Sequence, residues 1–186
     1  MNAVAWPEQQ PTLRHDVLTL RPWTAADADQ VFLACQDEGI QRYTMVPVPY
    51  LREHAEEFVA VASAARFQQR LGAEFAVTEA VTDELLGACG LTSVELTARS
   101  AEAGYWVAPW ARRRGVATGA LTILASWALG LQELGRLQLH IEPENAASVA
   151  VATRAGFVQM PNARLLKEYR AQTRRFQLFE LTLQEP

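Results

Sequence analysis

The middle of the chain changes from strand to helix periodicity within a few residues, and this change constrains the fold more than any other feature of the sequence. Residues 101–108 alternate as a β-strand does, with Tyr105 and Trp106 as bulky members. Pro109 interrupts the strand, and a long helix with one apolar face starts near Gly115. The sequence therefore predicts a strand, a short loop and a helix N-terminus in direct succession.

The order of the remaining patterns predicts one α/β domain. Strand–helix alternation in the second half is typical of a mixed sheet covered by helices. Residues 1–11, which contain Pro and Gln repeatedly, are predicted to be a flexible leader, and residues 12–186 to be the domain. The predicted strands cover residues 17–21, 73–79, 84–96, 101–108, 137–141 and 176–183, and the predicted helices cover residues 24–39, 51–72, 115–135 and 146–155.

The composition argues against several classes of protein. Hydrophobic residues make up 49% of the 186 residues and charged residues 20%, which suits a folded globular domain. No apolar run approaches the ~18 residues of a membrane span, and the first residues lack the pattern of a signal peptide. A formal net charge of −4 disfavours general binding to nucleic acid. The two cysteines, Cys35 and Cys89, lack the partners of a metal site or a disulfide framework, so we expect a cytoplasmic protein without a metal.

The loop between the central strand and its helix has the features of an anion site. Backbone N–H groups at a helix N-terminus are unpaired, and the helix dipole adds about half a positive charge there. Gly115 and Ala117 are small enough for an anion to approach the main chain, and three arginines precede them. These features indicate a pyrophosphate cradle. The alternative is a solvated charge run before an ordinary turn, since short motifs have many false matches.

Separate motifs, in order along residues 20–157, make the sequence similar to one known family. They are Leu20-Arg21-Pro22-Trp23, Ala101-Glu102-Ala103-Gly104-Tyr105-Trp106-Val107, Arg112-x-x-Gly115-x-Ala117, Asn145-Ala146-Ala147-Ser148 and Ala155-Gly156-Phe157. Together they resemble the RimJ/RimL-like branch of the GNAT superfamily of acyl-CoA-dependent N-acyltransferases. The resemblance implies a GNAT fold, which is a single mixed, splayed β-sheet with helices on both faces, and acetyl-CoA as the cosubstrate.

The resemblance also implies where the cofactor binds. The backbone at the end of the central strand would hold the thioester end of acetyl-CoA. The main chain of residues 112–118 would hold the pyrophosphate and thereby orient the acyl group. The cofactor-binding residues expected in this way are Trp106, Val107, Ala108, Arg112, Arg113, Arg114, Gly115, Val116, Ala117, Thr118 and Asn145.

Two residues are expected to carry the chemistry, and each has a structural alternative. An acceptor amine is mostly protonated at neutral pH, so a base must remove a proton before the nitrogen attacks. The resemblance implies that Glu102 is this base, acting directly or through a water molecule; alternatively it is a solvated strand residue. Ser148 is implied to protonate the departing CoA thiolate; alternatively it only completes a helix cap. The reserve candidates for the base are Glu74, Glu84 and His54. The other histidines, His15 and His140, are expected to be structural or solvent-exposed.

The resemblance weakens after Phe157. Members of the branch often continue with Glu-Gly and a late Asp, where this chain has Gln159-Met160-Pro161 and Arg174-Arg175-Phe176. Because this region usually shapes the acceptor pocket, the acceptor stays open. We expect a protein N-terminal α-amine. The alternatives are a small amine such as an antibiotic, polyamine or amino-acid derivative, a donor other than acetyl, and a non-catalytic acyl-CoA-binding module. The protein is expected to be a monomer or a homodimer.

Overall fold

The computed structural model describes residues 5–170 and 172–182, and the side chains within them apart from those of residues 162–164. This part of the chain forms one eight-stranded mixed sheet with the strand order β1-β2-β3-β4-β5-β6-β8-β7. The strands are β1 Leu13–His15, β2 Leu18–Arg21, β3 Ala73–Glu79, β4 Leu85–Glu95, β5 Ser100–Val107, β6 Arg136–Ile141, β7 Val158–Tyr169 and β8 Gln172–Thr182.

Six α-helices lie in the described part of the chain. They are α1 Ala28–Ala34, α2 Glu38–Tyr43, α3 Arg52–Glu57, α4 Ser63–Gln68, α5 Val116–Ala128 and α6 Ala146–Arg154. Short 3-10 helices cover Ala25–Asp27 and Pro109–Ala111, and a π-helical turn, Phe58–Ala62, joins α3 to α4. None of the helices described is both long and apolar enough to cross a membrane.

Helices cover both faces of the sheet. On one face, α5 places the Trp127 ring 5.5 Å from that of Phe75 on β3. On the other face, the Phe58 ring, which follows α3, lies 5.3 Å from Trp23, and Trp23 stacks on Trp106 of β5 at 6.5 Å. Trp106 lies opposite Ala88 and Ala76 in the sheet register, so its side chain is on the face that Phe75 does not share. The predicted mixed sheet with helices on both faces is confirmed.

The sheet splays between β5 and β6. These parallel strands pair only where Ser100–Glu102 meets Arg136–Gln138, whereas β4 continues to pair with β5 as far as Val107. Beyond Glu102, the edge of β5 that faces β6 has no strand partner in the described residues. Its main-chain N–H and C=O groups are therefore available to another partner. The predicted splay is confirmed, and it leads towards the N-terminus of α5.

Two predicted helices end earlier in the structure. The first one stops at Cys35, and α2 starts anew because the Asp37 carboxylate caps it by accepting from the Ile40 N–H at 2.9 Å. Gly39, predicted to be a stop, therefore lies inside α2. The helix predicted to run to residue 135 ends at Ala128.

The predicted leader packs onto the domain from residue 5 onwards. Trp6 is buried, and its ring lies 5.3 Å from Phe67 and 6.0 Å from Trp127. The Gln10 side chain donates to the Glu74 carbonyl at 2.9 Å. The predicted leader therefore contacts the domain through Trp6 and Gln10, and burial of the Trp6 ring is the contact that the surrounding Pro and Gln residues do not indicate. Residues 1–4 lie outside the described residues.

Candidate active site

The loop before α5 has the geometry of an anion cradle. Gly115 is the N-cap of α5 with φ = +76°, a left-handed conformation that favours glycine, and Arg113 is also left-handed with φ = +61°. Residues Val116, Ala117 and Thr118 form the first turn, where main-chain N–H groups have no partner within the helix. All three line a groove of ≈ 680 Å³, which we call the helix groove.

The three arginines of this loop have different roles in the structure. The Arg112 guanidinium donates to the Asp37 carboxylate at 2.6 Å, which ties the loop to α2. This hydrogen bond is the main cause that lowers the pKa of Asp37. Arg113 lines the helix groove beside Arg112. Arg114 is exposed to solvent and does not line the groove, so the structure does not bring its side chain into the predicted cofactor site.

Only part of the strand end predicted to hold the thioester faces the groove. The Ala108 N–H donates to the Leu86 carbonyl at 2.9 Å, so Ala108 is directed towards β4 and is fully buried. The N–H and C=O groups of successive residues point to opposite edges of a strand. The main-chain groups of Trp106 therefore also point towards β4, and those of Val107 point towards the gap between β5 and β6. The Trp106 carbonyl indeed lies against Gly87, where a Cβ would come within 2.3 Å of it. Of the three predicted residues, Val107 offers main-chain groups to the groove, Trp106 lines it without them, and Ala108 lies outside it.

The far wall of the groove is the start of α6. Asn145 caps this helix, because its Oδ1 accepts from the Ser148 N–H at 3.1 Å. The Ser148 Oγ is therefore not needed for the cap and instead lies 2.6 Å from the Tyr105 hydroxyl. Burial raises the pKa of Tyr105 to about 12, so the phenol keeps its proton at neutral pH. Tyr105 is a candidate functional residue that the sequence presented only as a bulky strand member.

A second cavity, which we call the sheet cavity, has a volume of ≈ 450 Å³ and lies over β3, β4 and β5. Its floor includes Gly90 and Gly104, which carry no side chain that would fill it. A Cβ at Gly90 would lie 2.5 Å from the Ala73 carbonyl, so the close approach of β3 requires glycine there. Apolar and aromatic side chains supply much of the wall; they include Met45, Val46, Tyr50, Phe58, Leu139 and Phe176. The cavity meets the helix groove at Tyr105, Trp106, Asn145 and Ser148, which line both.

Glu102 lies on the wall of the sheet cavity within a cluster of three ionisable groups. Its Oε2 is 2.9 Å from His140 Nδ1 and 2.9 Å from Lys167 Nζ. Burial by itself raises the pKa of Glu102. The hydrogen bonds with His140 and Lys167 lower the pKa by more than burial raises it, so the pKa of Glu102 lies below its ordinary value. His140 also lines the cavity, with a side chain only 12% exposed, so the expectation that it is merely structural or solvent-exposed missed a contact with the predicted base. His15 is exposed, as expected.

The β7–β8 hairpin is anchored against the segment that forms one wall of the sheet cavity. The Tyr169 hydroxyl donates to the Thr44 carbonyl, and the Arg170 guanidinium donates to the Val46 carbonyl at 2.5 Å. Arg174 donates to the Arg42 carbonyl at 2.9 Å. This hairpin is the region in which the family resemblance weakens, and its contacts explain how it can shape the cavity.

A family comparison agrees with this arrangement of groove and cavity. The family model described as an acetyltransferase (GNAT) domain matches residues 17–158, which is well over half of the chain. The chain belongs to the GNAT acetyltransferase family. It is therefore an N-acyltransferase by family, and the two cavities have to be understood as parts of a GNAT enzyme.

Three similar proteins illustrate how far the likeness extends in sequence and in fold. The N-acetyltransferase YoaA of Bacillus subtilis (strain 168), itself uncharacterised, is 28% identical over 152 residues, which are 79% of this chain and 82% of YoaA. A solved structure from Vibrio cholerae, assigned as a ribosomal-protein-serine acetyltransferase, has a TM-score of 0.80 at 26% identity and covers 92% of this chain and 97% of its own. Spermidine N-acetyltransferase from Vibrio cholerae, solved with CoA and spermine, has a TM-score of 0.74 at 20% identity, over 90% and 96% of the two chains, and shows the shared fold alone.

The reserve bases of this GNAT enzyme are less well placed than Glu102. Glu84 is exposed and lines neither cavity. His54 lines the sheet cavity, but its Nδ1 accepts from the Leu51 N–H at 3.0 Å. Glu74 also lines the cavity; burial raises its pKa against the opposing effect of Arg66, whose Nε lies 3.2 Å away.

Neither cysteine of the GNAT domain suits a covalent acyl-enzyme. A nucleophilic cysteine needs an accessible thiolate. Cys35 and Cys89 are both buried; burial raises the pKa of Cys35 to about 12 and also raises the pKa of Cys89. Within residues 5–170 and 172–182, no three His, Cys, Asp or Glu side chains come together as a metal site requires.

Proposed function

We propose that this enzyme transfers the acetyl group of acetyl-CoA directly to a primary amine bound in the sheet cavity. The observation that carries the proposal is the junction of the two cavities. Tyr105 and Ser148 line both, whereas Glu102 lines the sheet cavity alone. A donor in the helix groove and an acceptor in the sheet cavity would therefore meet beside a proton donor, with a carboxylate on the acceptor's side.

The helix groove suits the common part of acyl-CoA. The first N–H groups of α5 and the left-handed Gly115 would hold the pyrophosphate, because a helix N-terminus favours an anion. The unpaired edge of β5 at Tyr105 and Val107 would bond the amide groups of the pantetheine arm, as a neighbouring strand would. This arrangement delivers the thioester to the junction.

The proposed reaction needs three proton transfers. The Glu102 carboxylate, whose pKa is lowered, is ionised at neutral pH and can accept the proton of the acceptor's ammonium group, directly or through water. The amine nitrogen then attacks the thioester carbonyl, and the carbon–sulfur bond breaks. The hydrogen-bonded hydroxyls of Ser148 and Tyr105 supply a proton to the departing thiolate, and the second proton that the nitrogen loses on becoming an amide restores them.

The walls of the sheet cavity favour a compact amine with an apolar body. A cavity of ≈ 450 Å³ lined by aliphatic and aromatic side chains is within the range of small-molecule sites. Two carboxylates on its wall have resident cations: Glu142 accepts from Arg42 at 2.9 Å and from Arg174 at 3.1 Å, and Lys167 pairs with Glu102. Glu57 also lines the cavity and is exposed, with no cation paired to it among the described residues, so polyamines stay in the acceptor panel.

The second candidate acceptor is a protein N-terminal α-amine. The observation in its favour is the 26% identity to a protein assigned as a ribosomal-protein-serine acetyltransferase. The first residues of an unfolded N-terminus would then occupy the sheet cavity, amine foremost, and the rest of the chain would leave past the β7–β8 hairpin.

A thiol-release assay with acetyl-CoA tests the proposal and separates the candidates. The acceptor panel holds compact apolar amines, peptides with a free N-terminus, the same peptides with a blocked N-terminus, and polyamines. We expect the compact amines to show the highest kcat/KM and the blocked peptides to show none. Preference for free peptides would establish the second candidate. Tight CoA binding with no release for any amine and any of several acyl donors would instead indicate a non-catalytic acyl-CoA-binding module.

A further inference from the structure

Lys167 is the only lysine in the sequence, and it is directed at the proposed base. It lies on β7, from which its Nζ reaches Glu102 Oε2 at 2.9 Å and His140 Nδ1 at 2.6 Å. Its partner on β8 is Arg174, which belongs to the anchored part of the hairpin. The chain thus presents its one side-chain primary amine to the group that is proposed to deprotonate acceptor amines.

The position of this amine matches what the reaction asks of an acceptor. A primary ammonium group within hydrogen-bond distance of Glu102 can lose a proton to it, and the same Nζ lies close to the Nδ1 of His140. Both Glu102 and His140 line the sheet cavity, which meets the helix groove at Ser148. Lys167 approaches them from the hairpin side, with a side chain that is 40% exposed.

The inference requires the Lys167 side chain to move from Glu102 towards the thioester. Its four methylene groups rotate about several bonds and the side chain is 40% exposed, but Nζ must first leave its contacts with Glu102 and His140. An arginine in the same place would keep the charge but would not be a nucleophile, because its guanidinium stays protonated. The amine is therefore the property that distinguishes Lys167 from the many arginines of this chain.

We propose that Lys167 is an internal acceptor, so that the enzyme acetylates its own Lys167 Nζ when acetyl-CoA is bound and no other amine fills the sheet cavity. This inference rests on the proposed function. The ammonium proton passes to Glu102, and Nζ forms a bond to the thioester carbonyl carbon. The carbon–sulfur bond breaks and the thiolate takes a proton from Ser148 and Tyr105. The second proton that Nζ loses on becoming an amide restores these hydroxyls, Glu102 releases its proton to solvent, and the products are N-acetyl-lysine and CoA thiol.

Acetylation would change the site that catalyses it. The neutral amide of acetyl-lysine cannot form an ion pair with Glu102, so the carboxylate would lose one of its two resident partners. The position next to Glu102 would then be open to an external amine. We therefore expect the modified enzyme to have a lower KM for the acceptor than the unmodified enzyme.

Peptide mapping by mass spectrometry tests the inference without ambiguity about the site, since the sequence offers one lysine. The wild-type protein is incubated with acetyl-CoA and no acceptor, and the peptide containing residue 167 is separated from the N-terminal peptide. We expect one acetyl group on Lys167, at a rate that saturates with acetyl-CoA and is independent of protein concentration. Glu102→Gln should slow the rate at least ~10-fold. The matched control Glu84→Gln, on an exposed turn outside both cavities, should react at the wild-type rate.

Other outcomes overturn the inference. Equal acetylation of the folded and the urea-unfolded protein would mean that acetyl-CoA reacts with any exposed lysine. A rate that rises with protein concentration would mean that one molecule modifies another. An unmodified Lys167 in a preparation that acetylates an amine of the panel would refute the internal acceptor and leave the proposed function intact. No transfer to Lys167 or to any amine would refute both.

Discussion

The helix groove and the sheet cavity meet at Tyr105 and Ser148, but they are built from different parts of the polypeptide. Half of the residues that line the groove belong to one continuous segment, residues 105–118, and its proposed ligand contacts are main-chain groups. The sheet cavity is assembled from side chains that are distant in sequence. Lys167 reaches Glu102 across 65 positions, and Tyr169 reaches Thr44 across 125.

Because of this difference, side-chain substitutions should affect ligand binding less in the helix groove than in the sheet cavity. Main-chain N–H groups remain when side chains are replaced, so the groove suits a ligand part common to every acyl-CoA. Paired side chains can be exchanged one at a time, so the cavity can be adapted to different acceptors on the same fold. Substitutions in the groove should therefore change donor affinity for every acceptor, and substitutions in the cavity should act on acceptor and turnover alone.

Replacement of Glu102 should have the largest effect and should spare the donor side. We expect Glu102→Gln to lower kcat by ~10²–10⁴-fold, because the acceptor's proton has no carboxylate to receive it. The dissociation constant for CoA should stay at the wild-type value, measured by calorimetry. Because the pKa of Glu102 is lowered, its ionisation should not limit the rate near neutral pH. The deficit should be largest below the pKa of the acceptor. A rate within twofold of wild type would transfer the role to another group.

Replacement of Gly115 should act on the donor side instead and weaken the binding of CoA. Gly115→Asp places a carboxylate beside the proposed pyrophosphate site; like charges at ~4 Å repel by several kcal/mol, so we expect CoA affinity to fall by roughly 10²-fold or more. Space around Gly115 is open, and Asn tolerates its left-handed backbone nearly as Asp does. Gly115→Asn is therefore the matched control and should retain most of the affinity. Equal losses in both variants would point to backbone strain instead of charge.

Replacement of Ser148 tests the junction at which the two regions meet. Because Asn145 already caps α6, Ser148→Ala should leave the melting temperature close to wild type. Turnover should fall moderately, by ~10–100-fold, since a thiol with a pKa near 8.5 is already a fair leaving group. A donor thioester with a more acidic thiol should narrow the gap in single-turnover experiments. A variant that melts earlier but reacts at full speed would return Ser148 to a structural role.

The neighbouring Tyr105 shows whether one hydroxyl or two serve the leaving thiolate. Tyr105→Phe removes the partner of the 2.6 Å hydrogen bond with Ser148. If the two hydroxyls act as one unit, the double variant should be little slower than the slower single variant. Multiplicative losses would mean that each hydroxyl acts independently.

The contrast between the two regions also explains how far the sequence predicts the molecule. Residues 101–118 form contiguous motifs, so the strand, the loop, the start of α5 at Val116 and the splayed α/β sheet follow from periodicity and resemblance. The direction of Ala108 does not follow, because the partner of its N–H, Leu86, is on another strand. The alternation of residues along β5 does not by itself show which of two neighbouring residues directs its main-chain groups into the gap between β5 and β6.

The sheet cavity was less predictable because its contacts cross the whole chain. Glu102 is identified by its motif, but His140 and Lys167 carry no local pattern that connects them to it. The bond between Tyr105 and Ser148 spans 43 positions. Trp6 is a related case, since local Pro and Gln residues indicate a loose leader while the ring packs on Trp127 in the core. Such contacts depend on tertiary packing, which residue patterns within a short window do not encode.

The smallest predicted effect concerns the ion pair between Arg112 and Asp37, which links the groove to α2 and so to the cavity wall at Tyr43. The Arg112 side chain is 45% exposed, and exposed pairs contribute ~0.2–1 kcal/mol. We therefore expect Arg112→Gln to lower the free energy of unfolding by no more than ~1 kcal/mol at pH 7. CoA affinity should change by only ~2–5-fold, since a loss of that size in the bound state corresponds to no more.

The pH dependence of this small effect has a defined sign. Asp37 has a lowered pKa in the folded protein, so the pair stabilises the fold above the pKa of an unfolded aspartate, about 3.9. The contribution is lost as the pH falls through the lower pKa of the folded state. Denaturant unfolding of wild type and Arg112→Gln should therefore differ at pH 7 and converge in acid. A difference that persists in acid would mean that Arg112 stabilises the loop through packing. A ≥ 10²-fold loss of CoA affinity would mean that its side chain, and not the main chain, binds the pyrophosphate.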